Sequence, residues 1–121
     1  MNEGVLIECE KYDVQRDAWI DFKQINVPRK NASLQALTSD SLYLFGGTNQ
    51  LNQMVDSIEQ HLISANMWLL LEVKLPNPIS FMTSFKVSPY SILIMGGLIQ
   101  SDTEDQVAYP SNQVMAFDIR F

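Results

Sequence analysis

Two hexapeptides set 50 residues apart constrain this chain more than anything else in it. Leu42-Tyr43-Leu44-Phe45-Gly46-Gly47 and Ile92-Leu93-Ile94-Met95-Gly96-Gly97 are both apolar runs that end in a double glycine. Each follows a polar turn, Thr38–Ser41 or Ser88–Ser91, and each turn follows another short apolar run. A second alignment, shifted by 49, pairs Trp19 with Trp68, Glu10 with Glu59, Tyr12 with His61 and Val14 with Ile63. A third copy, Val114–Ile119, puts Phe117 in the place of Tyr12, and Tyr12-Asp13 and Phe117-Asp118 are nearly the same dipeptide. A period of this length points to a supersecondary unit that buries its apolar surface against copies of itself.

The unit is built from strands. Few segments space apolar residues as an amphipathic helix would, whereas short runs of β-branched, aromatic and aliphatic residues recur between turn formers. The pattern predicts strands near Val5–Tyr12, Ala18–Phe22, Leu34–Leu37, Leu42–Phe45, Ser57–Ile63, Met67–Val73, Met82–Val87, Ile92–Met95 and Val114–Phe117. The breaks between them carry Gly46-Gly47, Pro76-Asn77-Pro78, Ser88-Pro89, Gly96-Gly97 and Pro110-Ser111-Asn112. Many short strands at even spacing imply an all-β sandwich, barrel or propeller.

Within each repeat the order is an inner strand, a strand ending in Gly-Gly, a strand ending in an aromatic, and a Trp-bearing strand. This resembles the kelch repeat, whose pattern is a double glycine, a Tyr-Asp-like pair, then a Trp several residues later. The resemblance implies an all-β, partial kelch-type β-propeller of antiparallel four-stranded blades, with Tyr12, Trp19, Gly46, Gly47, His61, Trp68, Gly96, Gly97 and Phe117 as its structural markers. It divides the chain into the outer half of one blade with its linker (1–31), a complete blade (32–75) and an incomplete one (76–121). Two departures stand out: His61-Leu62 replaces the Tyr-Asp pair, and the Arg common before the first strand survives only as Arg29, opposite Ile79. The aromatic-to-Trp spacing of 7 residues (12 to 19, 61 to 68) would place the next Trp at position 124. Since a propeller closes with typically four to eight blades, the expectation is that further blades come from the same polypeptide or from self-association.

Gly-Gly at a strand end lets the backbone turn with positive φ and approach its neighbours closely. The aromatic and Trp markers are plates suited to the space between stacked sheets, each able to bury roughly 150–250 Å².

Composition narrows the function. Fourteen acidic against eight basic side chains give a formal charge of −6, which repels phosphate backbones and anionic membrane surfaces. One cysteine, Cys9, permits neither an intrachain disulfide nor a thiolate zinc cluster, which suits a reducing, cytoplasmic setting. The N-terminal residues do not read as a signal peptide, and the longest apolar runs are too short to span a bilayer.

A search for chemistry finds no catalytic constellation and no implied cofactor or metal. His61, the only histidine, aligns with Tyr12 and Phe117 and reads as a packed side chain. Cys9 aligns with Ile58 and Val114 and reads as a small apolar residue without a histidine to activate it. Asp102, Glu104 and Asp105 lack the glycine and the distal glutamate of a calcium loop. Gly46-Gly47-Thr48 lacks the Lys-Ser/Thr of a phosphate loop. Asn31-Ala32-Ser33 is a sequon in form only.

The kelch resemblance implies a non-catalytic protein-protein interaction module, a segment of a larger scaffold or adaptor. Its partner-facing loops would be Thr48–Val55, Leu98–Asn112, Lys23–Asn31 and Leu75–Ser80. The longest and most polar, with Gln100, Asp102, Glu104, Asp105 and Tyr109, is the expected contact for a protein or peptide partner. The alternative is a fragment of an oxidase, sialidase or isomerase on a kelch-like propeller. The lone His61 and the three arginines (Arg16, Arg29, Arg120) speak against an oxidase's His and Tyr ligands and a sialidase's arginine cluster.

Overall fold

A computed structural model describes residues 4–100 and 107–120. Its strands are β1 (Cys9–Asp13), β2 (Ala18–Phe22), β3 (Ser33–Thr38), β4 (Ser41–Phe45), β5 (Ser57–Leu62), β6 (Met67–Lys74), β7 (Thr83–Ser88), β8 (Ser91–Met95), β9 (Leu98–Gln100), β10 (Ala108–Pro110) and β11 (Val114–Asp118). The described residues are all-β and contain no helix. Four antiparallel sheets result: a β1-β2 hairpin, a four-stranded meander β3-β4-β5-β6, a three-stranded sheet β7-β8-β11, and a small β9-β10 hairpin. All nine predicted strands form. β1 starts at Cys9 rather than Val5 because its partner β2 offers only five residues to pair with.

The repeat holds at the level of register. Tyr12 lies opposite Trp19 and His61 opposite Trp68, while Phe117 faces Ile92 as His61 faces Leu42. Irregularities repeat too. The β3-β4 ladder slips between Ala36 and Thr38, and β7-β8 slips at the equivalent Lys86 and Ser88. The tight turns that follow are closed alike, with Thr38 Oγ1 accepting from the Asp40 amide and Ser88 Oγ from the Tyr90 amide, both at 3.2 Å. Left-handed residues recur in phase: Asp17 (φ 51°) with Asn66 (49°), and Asn31 (60°) with Phe81 (61°).

The core lies between the meander and the three-stranded sheet. Leu37, Tyr43, Phe45 and Ile58 from one side meet Ile92 and Ile94 from the other, with Leu75, Ile79 and Met82 of the connecting segment between them. Phe117 closes this layer, its ring 5.1 Å from Tyr43 and 5.4 Å from Phe45. On the opposite face of the meander sits the β1-β2 hairpin, where Phe22 packs 4.3 Å from His61 and 6.5 Å from Trp68. The Trp68 indole N–H donates to the Lys23 carbonyl at 2.8 Å, which pins the end of the hairpin.

The predicted role of the aromatic plates holds at this interface and fails at the front of the hairpin. Trp68 is 9% exposed, but its counterpart Trp19 is 68% exposed and Tyr12 44%. Tyr12 and Trp19 still pack on each other, ring centroids 5.4 Å apart. The reason is positional: among the described residues no sheet stacks on their face.

A buried ion pair anchors the first linker. The Arg29 guanidinium meets the Glu59 carboxylate at 2.8 Å and also donates to the carbonyls of Gly46 and Ser57, both at 3.0 Å. Glu59 in turn accepts from the backbone amides of Asn26 (2.8 Å) and Val27 (3.0 Å). Burial pulls the Arg29 pKa down, and Glu59 opposes that pull. A buried charge is tolerated only with such complete pairing.

All four glycines of the two Gly-Gly pairs have positive φ, as predicted. They do different work. A Cβ on Gly47 would meet the Lys30 carbonyl and Ala32, and one on Gly97 the equivalent Ser80 and Met82, all within its own repeat. A Cβ on Gly46 would instead overlap the Ile79 carbonyl and the Met82 side chain, at the entry to the next sheet. At Gly96 the same atom would meet nothing within 4 Å.

Candidate functional site

Among the described residues, the loops that follow the Gly-Gly strands and those that link the sheets come together in one place. Backbone pairing holds them there. Lys30 and Thr48 exchange two hydrogen bonds (3.0 and 2.8 Å), and the equivalent Ser80 and Leu98 do the same (3.1 and 2.7 Å). The two linkers join through the Phe81 amide, which donates to the Asn31 carbonyl at 2.9 Å. The two post-glycine loops join through Gln100, whose side-chain oxygen accepts from the Met54 amide at 3.2 Å.

The first of these loops is pre-shaped. Asn49 Oδ1 accepts from the amides of Leu51 (2.9 Å) and Gln53 (3.0 Å), an Asx turn that closes residues 49–53 on themselves. Loops fixed by their own hydrogen bonds lose little entropy when a ligand arrives.

Between the loops lies a groove of about 350 Å³, lined by residues of all four segments, among them Asn31, Asn52, Phe81 and Gln100. Lys30, an exposed residue, stands at its rim. The Ser80 hydroxyl is fully buried beside it with no hydrogen-bond partner. Phe81 is the unusual member: a bulky aromatic, 59% exposed, held in left-handed backbone where the preceding repeat has an asparagine. That conformation costs an L-residue with a Cβ roughly 1–2 kcal/mol. Strain of this kind tends to be kept where a ligand or clamp needs it.

Of the predicted contact residues, Gln100 lines the groove, and Tyr109 stands on β10, 46% exposed, next to Ala108 of the groove wall. Asp102, Glu104 and Asp105 lie outside the described residues. The sequence reading missed Phe81. Its only signal was the alignment with Asn31 at a shift of 50, which puts a phenylalanine at a position built for asparagine.

The groups singled out for chemistry take structural places. His61 is fully buried between Phe22 and Trp68, its Nε2 3.4 Å from Asn66 Oδ1 and its Nδ1 unpartnered. Burial lowers its pKa and so favours the neutral ring. Burial raises the Cys9 thiol above its ordinary value, the opposite of what a nucleophile needs. Asp118 is held well below the usual carboxylate range by hydrogen bonds from Arg120, an exposed surface pair. Among the described residues no three His, Cys, Asp or Glu side chains gather as a metal site would require. No helix there is long and apolar enough to cross a membrane. No family model matches the chain, and a search of curated proteins finds no match.

Proposed function

We propose that this chain is a segment of a kelch-type β-propeller that serves as a non-catalytic protein-interaction module in a cytoplasmic scaffold or adaptor. In this reading the meander is one complete blade, the three-stranded sheet an incomplete one, and the β1-β2 hairpin the outer half of a third. The in-phase recurrence of register, bulge and left-handed residues supports a common unit behind all three.

The observation that carries the binding role is the convergence of four loops on one groove with an exposed, strained Phe81 at its edge. The occupant is a protein or peptide segment, read by the apolar face of Phe81 and by the amides of Asn31, Asn52 and Gln100. Exposed aromatics in such settings carry a disproportionate share of binding energy.

Peptides selected from a random library against the folded chain test this. Phe81→Asn should weaken the selected peptides by about tenfold or more while making the fold more stable by about 1 kcal/mol. Opposite signs on binding and stability would separate a contact residue from a merely structural one. Peptides that bind undiminished to Phe81→Asn and to Gln100→Ala would sink the assignment.

A further inference from the structure

The two faces of the meander are finished differently. On its front face, Phe22 of β2 is met by His61 and Trp68, two cross-strand neighbours on β5 and β6. On its back face, Leu71 is the counterpart of Phe22, 49 residues on, and Phe117 of β11 is the counterpart of His61. No strand among the described residues carries a counterpart of Trp68 there. Among the described residues β11 is the outermost strand of its sheet, where β5 continues to β6.

A cavity marks the place. About 530 Å³ opens beside the free edge of β11, lined by Leu71, Val73, Tyr43 and Gln60 of the meander and by Phe117 and Ile119. Leu71 and Phe117, the counterparts of Phe22 and His61, both line it. The Lys23 carbonyl that accepts the Trp68 indole N–H has its counterpart in the Glu72 carbonyl, again 49 residues on.

The molecule also carries a strand that fits. β2, Ala18-Trp19-Ile20-Asp21-Phe22, aligns with the start of β6, Met67-Trp68-Leu69-Leu70-Leu71, and its Trp19 lies 68% exposed. Its present partner β1 binds it only through a two-stranded hairpin, an arrangement that is marginal by itself in water. Its Phe22 side, docked on His61 and Trp68, does not depend on β1.

We infer that the free edge of β11 and its cavity are a seat for strand β2 of a second copy of this chain, with Trp19 of that copy filling the cavity opposite Phe117. The register follows from the hairpin, whose first pairs the meander shares before it slips between Ser57 and Glu59: Phe117 faces Trp19, Ala116 faces Ile20 and Val114 faces Phe22 of the second copy. The Trp19 indole N–H donates to the Glu72 carbonyl. β1 of the second copy is displaced, and the three-stranded sheet becomes four-stranded. Because the two surfaces are different, the contact is head-to-tail and propagates until a ring closes. The inference stands on register and cavity, and does not draw on the function proposed for the loop end.

Light scattering across a concentration series, with the 121-residue chain, is the direct test. The expected result is a mass that rises with concentration to a whole multiple of 13.8 kDa. Trp19→Ala removes the plug, and because Trp19 is exposed in the monomer the fold survives the change. Ala116→Pro blocks the edge: the Ile119 amide points back to Tyr90, so by strand alternation the Ala116 amide points outward and its loss leaves the β8 ladder whole. Each variant should weaken association by about tenfold or more. A labelled synthetic peptide of residues 16–24 should bind the wild-type chain and not Ala116→Pro. A chain that stays at 13.8 kDa overturns the inference even if the peptide binds, since the seat then takes a strand from another source. Association that Trp19→Ala and Ala116→Pro leave unchanged overturns it as well.

Discussion

The meander and the three-stranded sheet follow one backbone plan, yet they fasten their entering linkers by opposite chemistry. In the meander, Arg29 and Glu59 form a buried ion pair that also collects the amides of Asn26 and Val27. At the same positions in the next repeat stand Ile79, Met115, Pro76 and Asn77. Ile79 is buried in the core cluster, and Met115 packs against that cluster. Three of these changes fit together. Where the carboxylate has gone, the cation has gone, and proline replaces a residue whose N–H had needed an acceptor. A paired charge and an apolar contact are thus interchangeable solutions, provided all members change at once.

That reading can be broken. Glu59→Met alone strands a buried guanidinium and should cost about 3–5 kcal/mol in urea unfolding. Adding Arg29→Ile and Asn26→Pro should recover much of this loss, leaving a residue of about 1–3 kcal/mol for the carbonyls and the Val27 amide left unpaired. Strictly additive losses across the three changes would refute the idea of a coupled unit.

The aromatic plates give a second contrast between equivalent positions. Trp68→Ala opens a cavity between hairpin and meander and should cost about 3–5 kcal/mol. Trp19→Ala, in dilute monomer, should move stability by no more than about 0.5 kcal/mol. Equal effects would mean that the front of the hairpin is covered.

Gly46 and Gly96 sharpen the comparison of the two sheets at a single atom. Gly46→Ala meets both an unfavourable φ and the Ile79 carbonyl, so it should exceed the roughly 1–3 kcal/mol of backbone strain alone. Gly96→Ala has only the strain, since nothing lies within 4 Å of the added atom. Thermal melts of the two variants decide it, and a larger loss at Gly96 would contradict the packing described.

The smallest effect concerns acid. His61 has its pKa lowered by burial from an ordinary value of 6.5, so the unfolded chain binds its proton more readily than the fold. The contribution to stability is full above pH 6.5 and is lost as the pH falls from there toward the lower folded value. His61→Phe, the residue found at the equivalent position 117, should flatten that part of the stability profile. An unchanged profile would assign the acid response to other groups.

Much of this architecture was legible because apolar alternation and turn residues are local signals. All nine strands that they mark exist, and the residues aligned as repeat markers, Tyr12 and Trp19 with His61 and Trp68, stand in the structure as equivalent cross-strand pairs. β9 and β10 were missed because three residues, one of them Pro110, are too few to show a period. Partnership was harder to read than position. Arg29 drew notice, and Glu59 aligned with Glu10, but nothing along the chain says that residues 30 apart form one buried ion pair. The loop face was foreseen as a set of segments. Its strained phenylalanine was not, because backbone conformation leaves its trace only where two copies of a position can be compared.

The two ways of fastening a linker also divide the molecule by temperature. Apolar contact loses strength as water cools, while the penalty for burying ions eases as water warms. The seam at Ile79 and Met115 is therefore the one that chilling loosens first, and the seam at Arg29 and Glu59 the one that heat treats most gently. A protein with both has a cold end and a warm end, and partial opening should begin at whichever of them the thermometer disfavours.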